Sequence, residues 1–206
     1  KKILIAPTWG ENEILEFCGI ELINILLEAG YQTIVRPHPM VTKYKPRLIN
    51  KINNKFKDSQ SFQLNIDVQD ENSIYESHLM ISDWSGIAME YAFAFERPVL
   101  FIDVPQKCNN PEGGKISQVP IEVSIRKKIG RVVAVDALTT LPKLIEELCD
   151  DKDYFAAPIR KVRQESVFNI GSSNKVAAES ILEIAKRQCR NNRNRAITPS
   201  SKTISR

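Results

Sequence analysis

The sequence contains no CxxC pair. Its four cysteines, Cys18, Cys108, Cys149 and Cys189, are widely scattered. That spacing excludes a zinc ribbon or a dithiol redox motif and suits free thiols in a reducing compartment. No run of about 18 apolar residues occurs, so no membrane span is encoded. The apolar stretch behind Lys1 and Lys2 ends at Pro7, too short for the core of a secretory signal, and a cytoplasmic location is expected. No carboxylate cluster suggests a divalent metal, and neither a metal nor a cofactor is expected. A G-x-G-x-x-G element after the first apolar run is also missing, which argues against a dinucleotide fingerprint.

Excess charge is scarce as well, at +4 over 206 residues. Arg187, Arg190, Arg193, Arg195, Lys202 and Arg206 crowd the end of the chain, and the remainder is close to neutral. A basic face for nucleic acid is therefore not indicated. Residues 187–206 lack periodicity and read as a disordered basic tail, either solvated or resting on an anionic membrane surface. The rest, 1–186, is long enough to bury a full core as one domain.

What is present is an alternation of short apolar runs with helical periodicity. Residues 2–6 read as a buried strand. Thr8 and Glu11 have capping-box spacing, with Ile14, Leu15, Cys18, Leu22, Ile25 and Leu26 on one helical face behind them. Strands follow over 31–35, 61–66, 78–81, 98–102 and 131–135. Helices are expected over 44–56, 70–76, 86–95, 119–129 and 140–148, with two C-terminal helices over 152–166 and 172–186. Residues 104–117 are irregular. This order predicts an α/β fold with a doubly wound, mostly parallel, six-stranded Rossmann-like sheet and helices on both faces.

In such sheets ligands bind beyond the carboxyl ends of the strands. The polar residues of interest collect in the loops at those ends, 7–10, 36–39, 66–69, 82–86 and from 103 on, and Thr8 in the first of them is a candidate substrate-binding residue. His38, between Pro37 and Pro39, is either an acid/base or phosphate-contacting group, or a partly buried loop histidine. Arg36 could clamp a phosphate, pair with Asp83 or stand as a surface charge. The turn of Ser82, Asp83, Trp84, Ser85 and Gly86 leads from an apolar strand into an apolar helix. Its first-turn amides and the helix dipole suit a phosphate, Gly86 admits a ligand close to the backbone, and Asp83 serves as cap or ligand partner. Glu90, a turn further on, is a ribose-hydroxyl acceptor or a solvated residue. Ser85 lacks the first glycine of a nucleophile elbow, so it is not read as a nucleophile. His78, directly ahead of a strand, reads as structural.

Four segments in order, residues 3–9 (ILIAPTW), 36–39 (RPHP), 81–86 (ISDWSG) and 97–101 (RPVLF), resemble the CDP-glycerol glycerophosphotransferase family of teichoic-acid-type polymerases. Residues 168–172 (FNIGS) are similar to its closing segment. The resemblance implies the C-terminal, donor-binding half of a GT-B-type transferase, with the N-terminal acceptor domain absent from this chain. It implies that His38 contacts the donor pyrophosphate and helps CMP depart, while Ser82, Asp83 and Ser85 hold the phosphates. Its donor would be a CDP-activated alditol, and its acceptor a cell-envelope polymer or lipid-linked chain. A sugar-nucleotide glycosyltransferase of the same architecture and a non-catalytic nucleotide-binding module remain the alternatives.

Overall fold

Six short parallel strands in the order β3-β2-β1-β4-β5-β6 form the sheet in the computed structural model. The structure describes residues 1–106, 115, 117 and 119–197. The strands are β1 (Lys2–Ile5), β2 (Gln32–Val35), β3 (Phe62–Leu64), β4 (Leu79–Ser82), β5 (Val99–Ile102) and β6 (Gly130–Val133). β1 is flanked by β2 and β4, with Ile5 opposite Val35 on one side and Ile81 on the other. The expected doubly wound, Rossmann-like sheet is what the chain forms, and strand order reverses between β1 and β4.

Successive strand residues point to opposite faces. Ile3, Leu4 and Ile5 are all fully buried, as are Leu79, Met80, Ile81 and Val99. Both faces of the central strands are therefore covered, the reason these strands read as unbroken apolar runs. β6 begins at Gly130, one residue before the sequence expectation. A Cβ there would lie 1.7 Å from the Val99 carbonyl oxygen of β5, so only glycine lets the two backbones approach.

The helices that frame the C-terminal rim are α1 (Ile14–Phe17), α2 (Gly19–Glu28), α3 (Pro39–Tyr44), α4 (Pro46–Phe56), α5 (Asn72–Glu76) and α6 (Ile87–Phe95). The span expected as one helix over 44–56 has its break at Lys45, because Pro46 cannot continue α3 and instead starts α4 at its first position. Behind β5 come α7 (Ile121–Ser124) and α8 (Arg126–Ile129), and after β6 a 3-10 segment (Val135–Thr140), α9 (Leu141–Asp150) and α10 (Lys152–Ser166). The irregular stretch expected over 104–117 lies largely outside the described residues.

The chain divides into two units, Lys1–Arg163 and Gln164–Arg206. The first holds the sheet and a continuous apolar core that includes Phe155, Ile159 and Val162 of α10. The second contains α11 (Ser173–Ile197), which exposes Ile181, Leu182 and Ile184. The tail expected to be disordered from 187 is thus helical as far as Ile197, where arginine's good helix propensity meets no breaker. Its remainder lies outside the described residues. Among the described residues no helix is long and apolar enough to cross a membrane.

Candidate functional site

The site is built where β1, β2, β3 and β4 end. A cavity of about 180 Å³ opens there, lined by Arg36, His38, Asn65, Val68, Ser85 and Ile87, among others. It is smaller than a typical enclosed ligand pocket, so a nucleotide-sized ligand in it keeps one side open to solvent.

His38 is held in a defined state. Pro37 is buried and Pro39 occupies the first position of α3, so His38 falls at that helix's N-cap. Its Nδ1 accepts the Met40 N–H at 3.1 Å. With Nδ1 acting as acceptor, the neutral imidazole carries its proton on Nε2 and is a donor there. The ring is half-exposed, and Trp9 stacks beside it with centroids 6.0 Å apart and an interplanar angle of 30°.

Arg36 neither pairs with Asp83 nor stands free. Its guanidinium donates to three carbonyls of the β3–α5 loop, those of Asp67, Val68 and Asp70. The loop is closed a second time by buried Asn65, whose amide donates to Asp70 and Ser73 and whose Oδ1 accepts the Asp67 N–H. Ile66 and Val68 are thereby presented outward at the cavity mouth, 55% and 60% exposed. Sequence reasoning identified residues 66–69 as a rim loop but not Asn65 as its organiser. The signal was present in the N-x-D-x-x-D spacing, since such side chains bond their own backbone two residues on. An Arg36→Lys variant keeps the charge but loses the forked donors that span three carbonyls. It is expected to cost about 1–3 kcal/mol in thermal unfolding and to raise hydrogen–deuterium exchange within residues 66–70.

The Ser82–Gly86 turn divides its labour. Ser82 is fully buried and its Oγ donates to the Ala6 carbonyl at 2.7 Å, fastening β4 to β1. Asp83, 1% exposed, does not cap α6. Its Oδ1 accepts the N–H of Thr8 at 2.7 Å and of Trp84 at 2.7 Å, and its Oδ2 accepts the N–H of Ile14 at 3.2 Å. Burial pushes the Asp83 carboxyl up, and these N–H bonds oppose that shift. The expected capping box of Thr8 and Glu11 does not form. Both ends of that loop are taken by Asp83 instead, and α1 starts later, with the Glu13 side chain capping Leu15 N–H at 2.8 Å.

Ser85 and Ile87, on either side of Gly86, line the cavity. Gly86 is the N-cap of α6, and no side chain among the described residues caps that helix. A Cβ at Gly86 would meet nothing within 4 Å, so the space above this helix start is open. The first-turn amides and dipole of α6 are therefore directed at unfilled space beside His38 and Ser85. Glu90 is exposed one turn further on. Trp84 looks the other way: its Nε1 donates to the Val104 carbonyl at 3.0 Å, and the Arg126 guanidinium lies 3.9 Å from its ring centroid. His78 is structural, its Nδ1 accepting Lys2 N–H at 3.1 Å and its basicity lowered by burial. Among the described residues no group of three His, Cys, Asp or Glu is placed to hold a metal.

Thus one rim brings together Arg36, His38, Ser85 and Gly86, with Thr8, Ser82 and Asp83 bracing it from behind. Solved structures with this fold include the wall teichoic acid polymerase TagF, at 20% identity and a TM-score of 0.52, with 92% of this chain and 44% of that one covered. A TagF variant soaked with CDPG matches at 21% identity over 92% of this chain and 43% of that one, with a TM-score of 0.50. UDP-GlcNAc 2-epimerase from Neisseria meningitidis, bound to UDP-GlcNAc, matches at 18% identity and 0.56, covering 89% and 45%. The chain spans less than half the length of these solved proteins. No curated protein matches it by sequence. The family model for CDP-glycerol:poly(glycerophosphate) glycerophosphotransferase matches residues 1–107, half of the chain and the half that builds this rim, and the chain belongs to that family.

Proposed function

We propose that this chain binds a CDP-activated alditol, such as CDP-glycerol, at the rim and presents its β-phosphate to an acceptor. The observation that carries the reading is the convergence of a histidine with a fixed tautomer and an uncapped helix start on one cavity. The acceptor hydroxyl attacks the alditol-bearing phosphorus, the bond to CMP breaks, and negative charge grows on the departing phosphate. His38 Nε2–H and the amides at Ser85–Ile87 donate to that charge, and the Arg36 guanidinium adds its field. Glu90 accepts the ribose hydroxyls. Thr8, Ser82 and Asp83 act from behind, as the frame that fixes the amides.

The acceptor in this reading is a cell-envelope polymer or a lipid-linked chain, and the basic residues after Lys186 suit an anionic membrane face on the cytoplasmic side. A UDP-sugar is the second reading, since the fold is shared with an epimerase bound to UDP-GlcNAc. Titration calorimetry with CDP-glycerol, CDP, UDP and UDP-GlcNAc separates the two. Tighter binding of both cytidine ligands supports the first; preference for uridine ligands replaces it by the second. Binding of none leaves a module that does not take nucleotides.

Gly86 offers a sharper check. Its φ of −61° is open to any residue, and a Cβ there meets nothing in the folded protein. Gly86→Ala is expected to change stability by less than about 1 kcal/mol. It is nevertheless expected to weaken CDP-glycerol binding about tenfold or more, because the methyl group occupies the space the phosphate needs.

A further inference from the structure

Glu13 is fully buried, yet it lies outside the cavity and contributes nothing to the chemistry described above. Its Oε2 accepts the Leu15 N–H at 2.8 Å, while its Oε1 has no hydrogen-bond partner among the described residues. A buried carboxylate with one orphaned oxygen is costly, whereas the neutral acid keeps the same cap through its other oxygen.

The surroundings push the same way. Asp83, itself buried, holds Ile14 N–H, the residue next to Glu13, and Thr8 N–H at the far end of the loop. Ionised Glu13 thus places a second negative charge beside the group that clasps both ends of residues 8–14. Glu16 on α1 also faces Glu13 and opposes its charge, the Cys18 thiol behind it is neutral because burial raises it, and Lys45 is the cation of the set. Lys45 is engaged elsewhere, donating to the Gly10 carbonyl at 2.6 Å and pairing with Glu16. Burial, the dominant cause, pushes the Glu13 carboxyl up to about 7.

The clasped loop carries Trp9, which stacks beside His38. We propose that Glu13 is a positioning residue: protonated, it lets Asp83 hold the loop that sets Trp9 against His38, and ionised, it loosens that clasp. The role assigned to Trp9 and His38 rests on the donor-binding reading of the rim; the protonation of Glu13 does not. A carboxyl raised in the folded protein carries stability that is complete below its ordinary range near 4.5 and lost as pH rises through about 7.

Two-dimensional amide NMR between pH 5 and 8.5 tests this. The Leu15 amide, bonded to Glu13 itself, is expected to titrate with a midpoint near neutrality, and the Trp9 indole N–H to show a component with the same midpoint. Both are expected to vanish in Glu13→Gln, which mimics the neutral acid. A flat Leu15 amide in the unaltered protein overturns the proposal and requires no variant to fold. With CDP as the calorimetric probe, unaltered protein and Glu13→Gln are expected to bind alike at pH 6. At pH 8.5 the unaltered protein is expected to be at least fivefold weaker, beyond any shift common to both. An equal ratio at both pH values removes the link to the rim. Failure of CDP to bind either protein counts against the donor-binding reading alone, since the Leu15 and Trp9 signals still decide the protonation.

Discussion

Replacing His38 with alanine is expected to lower the proposed alditol-phosphate transfer roughly 10²–10³-fold, the usual effect of removing one donor to a developing oxyanion. Stability should fall by only about 1 kcal/mol, because the side chain also caps α3 through Met40 N–H. The two roles can be pulled apart. Asparagine is a good N-cap but cannot reach where Nε2 does, so His38→Asn is expected to restore the melting temperature and leave transfer low. Transfer assays paired with thermal melts check both. Were transfer to recover with the cap, His38 would be a structural histidine and the proposed donation to the leaving CMP would be wrong.

Loss of the Asp83 carboxylate is expected to be the most damaging change to the fold. Its two oxygens accept three backbone N–H groups, from Thr8, Ile14 and Trp84, in a site 1% exposed to solvent. Asp83→Ala strands all three donors without water. The expected cost is about 3–5 kcal/mol, since each buried N–H left without an acceptor costs about 1–3 kcal/mol. Asp83→Asn retains one carbonyl acceptor and should cost about half as much. Urea unfolding measures both; a loss below about 1 kcal/mol for alanine would mean that water or a shifted loop replaces the carboxylate.

Much of the frame was legible because buried parallel strands announce themselves by composition. Residues 3–5 and 99–102 are apolar without alternation, and each proved buried on both faces. The rim was legible for a related reason: once strands and helices alternate, the loops at one end are fixed as a set, and Arg36, His38 and Ser85 fall in them. What the sequence hid were bonds between distant residues. Thr8 and Glu11 have the spacing of a capping box, but Asp83, 75 residues further on, takes the Thr8 N–H. Asp83 in turn is drawn away from α6, which it seemed placed to cap. Arg36 looked like a phosphate clamp or a partner for Asp83, whereas three carbonyls more than 30 residues away engage it. Local spacing proposes a partner; the closed fold offers a better one. Glu13 is the extreme case, an acidic residue in a loop that nothing nearby in sequence marks as buried. The split between α3 and α4 was different in kind. Pro39 and Pro46 were both visible, and each marks the first turn of its helix.

A cytidine nucleotide bound as proposed seats its phosphates at the start of α6, next to His38. Mapping amide shifts during a CDP titration tests this seating most directly. Ser85, Gly86 and Ile87 are expected to move first and furthest, with Met40 moving because its N–H reports on His38 Nδ1. Saturating shifts confined to other surfaces of the chain, or none at millimolar CDP, would contradict the seating.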